Sequence, residues 1–253
     1  MALATNLISH WKLDESSGNA SDSVGSNTLT NTNVTYGAGK LNNCAIFNGS
    51  NARLVSPAVS INSTGFSVSF WVKTSTTTRS MMIASDAGAS PRVFQIAVNA
   101  SGVVELIRFN SSNAVIHITD SVKTINDNRW HHVAVTFNTT NGSKIYIDSI
   151  LDATNTTLTA NNNASLAISF GSNTYSTPGE YFNGSLDEPD LYSRELSADE
   201  VKERSRGYRQ HHPSPPRPHD RRSARPVRAG PRHGGLRGRR QGLRHVAAVV
   251  AVG

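Results

Sequence analysis

Short β-strand patterns follow one another along the first 205 residues, and a helical pattern appears only at the end of that stretch. The clearest runs, residues 66–73 and 130–138, alternate apolar and polar side chains, as strands with one buried face do. Shorter runs cover residues 7–13, 52–55, 81–84, 94–98, 103–109, 114–119, 144–147 and 166–170. Many short strands separated by Gly, Asn and Ser turns predict an all-β antiparallel sandwich.

The segment from Phe182 to Val201 predicts a strand that leads into a short helix. Ser197 and Glu200 have the spacing of a capping box, in which each side chain accepts a hydrogen bond from a free backbone N–H of the first helical turn. Asp187 shares its alternation with Leu191, so a carboxylate is expected on the apolar face, where it needs a partner or a metal. Pro189 cannot donate to a ladder and predicts an edge position or a bulge.

Charge divides the chain into two parts. Residues 1–207 contain 14 basic and 17 acidic side chains, a net charge of −3, whereas residues 208–253 contain 11 arginines and one aspartate, a net charge of +10. The second part is rich in Arg, Pro and Gly and has too few apolar side chains to offset the entropy of ordering, so a disordered basic tail is expected. The sequence predicts one domain over residues 6–207.

Three interpretations of the tail stay open. It could be the product of a frameshifted or misjoined reading frame, because residue types with GC-rich codons abruptly replace those with AT-rich codons. It could be an unstructured linker, or a basic arm that neutralises nucleic-acid phosphates. The tail beyond Tyr208 lacks aromatic residues that could stack on bases, which argues against a nucleic-acid partner. Its apolar end, residues 246–252, is too short to cross a membrane.

Cys44 is the only cysteine and lies in a strand pattern, so we expect a small core side chain and no intramolecular disulfide. The first residues have neither a basic nor a long apolar region, and no signal peptide is predicted. An extracellular or virion-associated location would then require another route, such as assembly into a phage particle or truncation of a longer secreted parent.

Six segments in the correct order resemble the laminin-G-like, concanavalin A-like jelly rolls. They are the opening strand with Trp11 and Asp14, the turn at residues 22–25, the stretch 39–49, the strand 66–73, the Trp-His-His-Val tetrapeptide at 130–133, and the closing segment 182–201. The resemblance covers nearly all of residues 6–207. It implies a two-sheet antiparallel jelly-roll sandwich with one short C-terminal helix, and it extends distantly to the pentraxins.

The residues argue against an enzyme. Glucanases of this fold place acidic residues at alternating positions of one strand, whereas the Asp-Glu pairs at residues 14–15 and 187–188 are adjacent and face opposite sides. His131 and His132 are likewise adjacent, which suits packing at a strand end better than shared metal ligation. No Gly-x-Ser-x-Gly elbow is present.

The resemblance also implies a candidate metal site, because many jelly rolls of this kind hold one structural calcium ion. Asp22, in its Asp-Ser-x-Gly turn, and Asp187 could supply oxygen ligands where the first and last strands pair. The alternative, which we favour, is that Asp187 accepts hydrogen bonds from backbone N–H groups of a turn. The pentraxin ligand-binding calcium site is not expected, because residues 171–178 contain no carboxylate.

Carbohydrate recognition usually combines an aromatic surface with amide and charged partners. The loop before the last strand offers Tyr175, Tyr181 and Asn173, and Arg92 and Arg108 could add donors. The first functional hypothesis is therefore a non-catalytic adhesion module that recognises a glycan or a surface protein, as part of a phage structural or bacterial surface protein. The second hypothesis is an architectural spacer without a ligand of its own.

Overall fold

The computed structural model of the protein describes residues 3–86, 90–174 and 179–206. Within these residues the chain forms fifteen strands and one helix. In chain order they are β1 (Leu7–His10), β2 (Thr30–Thr32), β3 (Thr35–Ala38), β4 (Asn43–Asn48), β5 (Arg53–Ser60), β6 (Gly65–Thr74), β7 (Ser80–Asp86), β8 (Arg92–Val98), β9 (Val103–Phe109), β10 (Val115–Thr124), β11 (His131–Asn138), β12 (Gly142–Ile147), β13 (Ile150–Asn155), β14 (Ser165–Phe170), β15 (Asn183–Tyr192) and α1 (Ala198–Arg206).

The strands form two antiparallel sheets. The eight-stranded sheet has the order β13-β12-β11-β6-β15-β4-β3, with β1 paired to the far end of β15. The seven-stranded sheet has the order β10-β9-β8-β7-β14-β5-β2. The predicted fold class, an all-β jelly-roll sandwich with one short helix at its end, is confirmed. The predicted tail lies outside the described residues, and the domain boundary at residue 207 stays a prediction.

The core lies between the two sheets and follows the predicted alternation. In the eight-stranded sheet, Phe66 of β6 is the register partner of Phe137 of β11, and Phe70 is the partner of Val133. These side chains are fully buried, and Phe66 stacks on Phe94 of the seven-stranded sheet at 4.9 Å between ring centroids. Aromatic contacts therefore connect the two sheets at the centre of the sandwich.

A β-bulge in β15 corrects the predicted orientation of Asp187. Leu186 pairs with Val72 and Leu191 pairs with Val68, so both leucines lie in the core although they are five positions apart. This is possible because the register shifts between Asp187 and Asp190, where Glu188 has a φ of 52°. Asp187 pairs with Trp71 and lies on the outer face of the sheet; its expected place on the apolar face is wrong.

Helix α1 packs on the outer face of the eight-stranded sheet. Its capping box is confirmed, because the backbone N–H of Ser197 donates to Glu200 at 2.9 Å and the N–H of Glu200 donates to Ser197 Oγ at 3.3 Å. Val201 joins a second apolar cluster with Leu196, Tyr192, Tyr146 and Ala134. The helix thus covers part of one outer face of the sandwich, that of the eight-stranded sheet.

Candidate functional site

A cleft of about 580 Å³ lies on the outer face of the seven-stranded sheet, where β14, β5 and β2 run side by side. On β5, Leu54 enters the core, and its neighbours Arg53 and Val55 therefore face outward. Thr32 and Thr30 of β2 are their register partners. The cleft is lined by Thr30, Thr32, Arg53, Val55, Ser56, Pro57, Asp86, Ala167 and Thr174. It combines hydroxyl, guanidinium and carboxylate groups with apolar side chains.

Thr174, in the loop after β14, forms one wall of the cleft. Near the start of β7, the N–H of Met81 donates to the carbonyl oxygen of Glu180 at 2.8 Å. At the end of β7, the N–H of Thr174 donates to Asp86 Oδ1 at 3.0 Å. Thr174 is therefore held at the end of β7, where it borders the cleft.

Asp86 holds this wall in place. The side chain is 1% exposed, and its Oδ2 accepts a hydrogen bond from Gln95 Nε2 at 3.1 Å. Its Oδ1 accepts hydrogen bonds from both the N–H and the hydroxyl of Thr174. Since both oxygens already have donors, the main role of Asp86 is to anchor Thr174.

Arg53 carries the positive charge of the cleft. Its side chain is half-buried beside Thr32, and within the described part of the chain no carboxylate forms an ion pair with it. Its donors are therefore available to a ligand that enters the cleft.

The structure brings two of the predicted ligand residues to one end of β7. Asn173 precedes Thr174 and is 2% exposed; its Oδ1 accepts a hydrogen bond from the N–H of Gly179 at 2.9 Å. Arg92 is the register partner of Asp86, and its guanidinium lies 4.2 Å from the ring centroid of Phe109. Asn173 thus connects the two described ends of the loop, and Arg92 stacks on Phe109.

Neither predicted tyrosine is among the described residues that line the cleft. Tyr175 lies outside the described residues. Tyr181 is half-buried and directly precedes Phe182, which is fully buried in the core. Their contact with a sugar stays a prediction.

Arg108, considered as a further donor, lies in the core instead. It is fully buried, its guanidinium lies 3.7 Å from the ring centroid of Phe137, and it donates to the carbonyl oxygens of Thr157 and Thr159 and to Asn161 Oδ1 at 2.8–3.0 Å. Burial lowers the pKa of Arg108 to about 10. This arginine fastens the segment before β14 and is not part of the cleft.

Asp22, the first predicted metal ligand, caps a turn. Its Oδ1 accepts hydrogen bonds from the N–H groups of His10, Val24 and Gly25, and its Oδ2 accepts one from Asn27, at 3.0–3.1 Å. Burial opposes ionisation, but these hydrogen bonds outweigh it and lower the pKa of Asp22.

Asp187, the second predicted ligand, caps a different turn. Its Oδ2 accepts hydrogen bonds from the N–H groups of Lys40 and Leu41, both at 2.8 Å. Its Oδ1 is buried with no hydrogen-bond partner among the described residues, and burial raises the pKa of Asp187 to about 7. Across the described residues, no three His, Cys, Asp or Glu side chains lie close enough together to hold a metal ion. This geometry supports the turn-capping alternative, and calcium binding stays a prediction.

The adjacent histidines lie on opposite faces of β11 and have different partners. His131 bonds Asp148 at 2.8 Å through Nδ1 and Asp127 at 3.0 Å through Nε2. His132 is 2% exposed and packs edge-on against Trp71 at 5.2 Å between ring centroids. Burial lowers the pKa of His132 to about 4, so the ring is neutral at pH 7. Both are packing residues of the eight-stranded sheet, away from the cleft.

The residues that form the cleft were not predicted from the sequence. Arg53 and Val55 lie in a run predicted as a strand, and their alternation with Leu54 would have placed them outward. The contribution of Thr30 and Thr32 requires the β2–β5 pairing, and that of Asp86 and Thr174 requires the course of the loop. Long-range pairing of this kind has no signal in a single sequence.

The comparison with protein families identifies one match. A family model described as the concanavalin A-like lectin/glucanases superfamily matches residues 48–202 of the chain. No curated protein sequence matches the chain.

Similar solved structures include binding domains of clostridial toxins. The binding domain of botulinum neurotoxin DC in complex with rat synaptotagmin II superposes with a TM-score of 0.65 at 15% identity, over 81% of this chain and 52% of that chain. The binding domain of Paraclostridial mosquitocidal protein 1 gives 0.63 at 19% identity, over 82% and 53%. A botulinum neurotoxin type C structure, described as depending on two ganglioside molecules to enter cells, gives 0.64 at 16% identity, over 80% and 51%. The chain spans about half the length of these structures, and the likeness is one of fold.

Proposed function

The chain belongs to the concanavalin A-like lectin/glucanase superfamily, and on this basis we propose that it is a non-catalytic recognition module that binds carbohydrate in the cleft of the seven-stranded sheet. The parent molecule would be a phage structural protein or a bacterial surface protein that adheres to glycans. A surface protein is the alternative partner.

The composition of the cleft carries this proposal. Sugars present hydroxyl groups on a partly apolar ring, and a matching site places a few polar groups around apolar side chains. Here Thr30, Thr32 and Arg53 supply polar groups, and Val55 and Pro57 supply the apolar contacts. The cleft volume falls within the range of about 300–1,000 Å³ that is usual for small-molecule sites.

The relatives of known structure support the same class of function. One is bound to synaptotagmin II, and another is described by its interaction with gangliosides, which are glycolipids. Because fold does not determine function, these partners support a glycan or protein ligand only as a class.

The carboxylates of the cleft support a non-catalytic role. Glycoside hydrolysis usually needs two carboxyl groups about 5–10 Å apart across the scissile bond. Among the described residues that line the cleft, Asp86 is the single carboxylate, and hydrogen bonds from Thr174 and Gln95 already engage it. This arrangement supports the proposal of binding without bond cleavage.

We further propose an extracellular or virion-associated location. Small neutral polar residues, chiefly Asn, Ser and Thr, dominate the surface sequence of residues 1–207, as is common in phage appendages and bacterial surface repeats. The helix that the structure describes is too short and too polar to cross a membrane.

A glycan-array screen of the full chain at physiological salt, with calcium and then with chelator, tests the proposal. We expect a defined set of glycans to bind. Thr32→Val, which removes one hydroxyl from the cleft with little change in shape, should weaken that binding by about fivefold, the usual contribution of one hydrogen bond. Thr35→Val, at an exposed position on β3 of the other sheet, is the matched control and should leave binding unchanged.

The absence of any bound glycan from a chain shown to be folded by circular dichroism would refute carbohydrate recognition. The protein would then be a protein-binding module or an architectural spacer. Glycan binding that Thr32→Val leaves intact would instead remove the site from this cleft.

A further inference from the structure

Resting on the proposed function, we propose that the cleft selects an acidic sugar, one that carries a carboxylate on or next to its ring, and that Arg53 binds this carboxylate. The family and the fold leave this class of carbohydrate open. Three features of the molecule point to it: the position of Arg53, its lack of an ion pair with a described residue, and the groups beside it.

Arg53 has a fixed position within the fold. Its strand, β5, is paired on both sides, to β14 and to β2, so the backbone beneath the side chain is fixed. The side chain is half-buried, with Thr32 as its register partner. A guanidinium in such a place loses less freedom on binding than an exposed lysine would, and its attraction for an anion is screened less by water.

The other arginines of the described residues differ from Arg53 in their exposure or in their partners. Those that are buried or half-buried already have partners: Arg79 pairs with Glu105 and Glu180, Arg194 with Glu200, Arg204 with Asp190, Arg108 with carbonyl oxygens, and Arg92 with the ring of Phe109 and with Asn113. Arg129 is 83% exposed on its side chain and lies 3.9 Å from Asp127. Arg206, exposed at the end of α1, also has no ion pair with a described residue and borders a smaller cleft of about 280 Å³ on the other sheet. Arg53 is thus the half-buried arginine of the described residues that lines a cleft without an ion pair to a described residue.

A carboxylate on the sugar matches the donors of Arg53. A guanidinium presents parallel N–H donors that match the two oxygens of a carboxylate, an arrangement stronger than a bond to a neutral hydroxyl. Thr30 and Thr32 place two hydroxyl donors beside it. A sugar carboxylate would therefore meet several donors in one corner of the cleft.

Asp86 sets the orientation of the ligand. It lines the same cleft as Arg53, but Thr174 and Gln95 occupy its oxygens and it lies at the end of β7, two strands away from β5. Its negative charge repels an anion, so the carboxylate is directed to Arg53 and the neutral hydroxyl groups to the side of Thr174. Repulsion on one side and attraction on the other together give specificity.

The test uses acidic oligosaccharides, such as oligomers of glucuronic acid, and the same oligomers after chemical reduction of each carboxylate to a primary alcohol. Affinities for both are measured with the full chain, Arg53→Gln, Arg53→Lys and the matched control Arg129→Gln. The basic C-terminal segment is identical in all four proteins, so a difference between variants arises from the substituted side chain.

We expect Arg53→Gln to lower the affinity for the acidic oligomers at least tenfold. Its affinity for the reduced oligomers should stay within about twofold of that of the unaltered chain. The affinity of Arg53→Lys for the acidic oligomers should lie between those of the unaltered chain and Arg53→Gln, because lysine keeps the charge and loses the paired donors. Arg129→Gln should behave as the unaltered chain.

If Arg53→Gln changes the affinities for the acidic and the reduced oligomers equally, or changes neither, Arg53 does not bind a sugar carboxylate. Carbohydrate binding itself would still stand. If no oligosaccharide binds to any of the folded proteins, the proposed function fails together with this inference. Equal binding of poly-glutamate would transfer the site from acidic sugars to acidic peptides and would also overturn the inference.

Discussion

At the scale of single residues, Asp187 links a buried charge to stability. One oxygen accepts two hydrogen bonds from the turn at Lys40 and Leu41, and the other is buried without a partner among the described residues. Burial raises the pKa of Asp187 from 3.8 to about 7. The folded protein therefore keeps a proton that the unfolded chain releases between these two pH values, and the contribution of Asp187 to stability falls as the pH rises through that window.

Asp187→Asn should remove this dependence. We expect the free energy of unfolding of the unaltered chain to fall between pH 5 and pH 8, relative to that of Asp187→Asn, by an amount on the order of 1–3 kcal/mol. Urea titrations of both proteins at the two pH values measure the double difference, in which other titrating groups such as His10 cancel. A double difference near zero would show that Asp187 is ionised at both pH values, which would contradict the assigned shift.

The same pair of proteins tests calcium. If Asp187 only caps the turn, melting temperatures will be the same in calcium and in chelator for both proteins. A rise with calcium that is present in the unaltered chain and lost in Asp187→Asn would instead establish a metal site and refute the cap as its only role.

At the scale of elements, α1 is positioned by contacts at its two ends. The capping box between Ser197 and Glu200 defines its start, and Glu200 also forms a two-pronged ion pair with Arg194, both bonds at 2.8 Å. The hydrogen bonds from Arg194 lower the pKa of Glu200 to about 2, although burial acts in the opposite direction. Near the other end, Arg204 Nε donates to the buried Asp190 of β15 at 2.6 Å. Both ends of the helix are thereby attached to the sheet region.

Ser197→Ala should destabilise the protein by about 1 kcal/mol, the usual cost of losing an N-cap hydroxyl. The measurement is chemical denaturation with the exposed Lys202→Ala as the control on the same helix. A loss no greater than that of the control would mean that the Glu200–Arg194 pair alone fixes the start of α1.

Elements were predictable from the sequence where local pattern decides them. The alternation in β6 and β11 identified core side chains, and the Ser197–Glu200 spacing identified the start of α1. The side of the sheet on which Asp187 lies was not predictable, because a bulge at Glu188 reverses the alternation and a single sequence only hints at it through Pro189. The cleft was missed for a similar reason, since it depends on pairing between segments about 20 to 116 positions apart.

At the scale of the whole molecule, the interactions that complete the described fold end within α1. The second apolar cluster ends at Val201, and Arg204 makes the last ion pair to the sheet. The basicity of the chain begins just after, with 11 arginines in residues 208–253. Most of the positive charge therefore lies beyond the residues that form the described sandwich.

A protein that ends at residue 207 should accordingly keep the melting temperature of the full chain to within about 2 °C and keep its affinity for neutral glycans. It should lose the salt-sensitive attraction for acidic polymers that 11 arginines produce through counterion release. Scanning calorimetry and binding to heparin at two salt concentrations measure the two properties on both proteins. A melting temperature several degrees lower would place stabilising contacts in residues 208–253 and would contradict a domain boundary at residue 207, whereas unchanged heparin binding would assign that attraction to the sandwich itself.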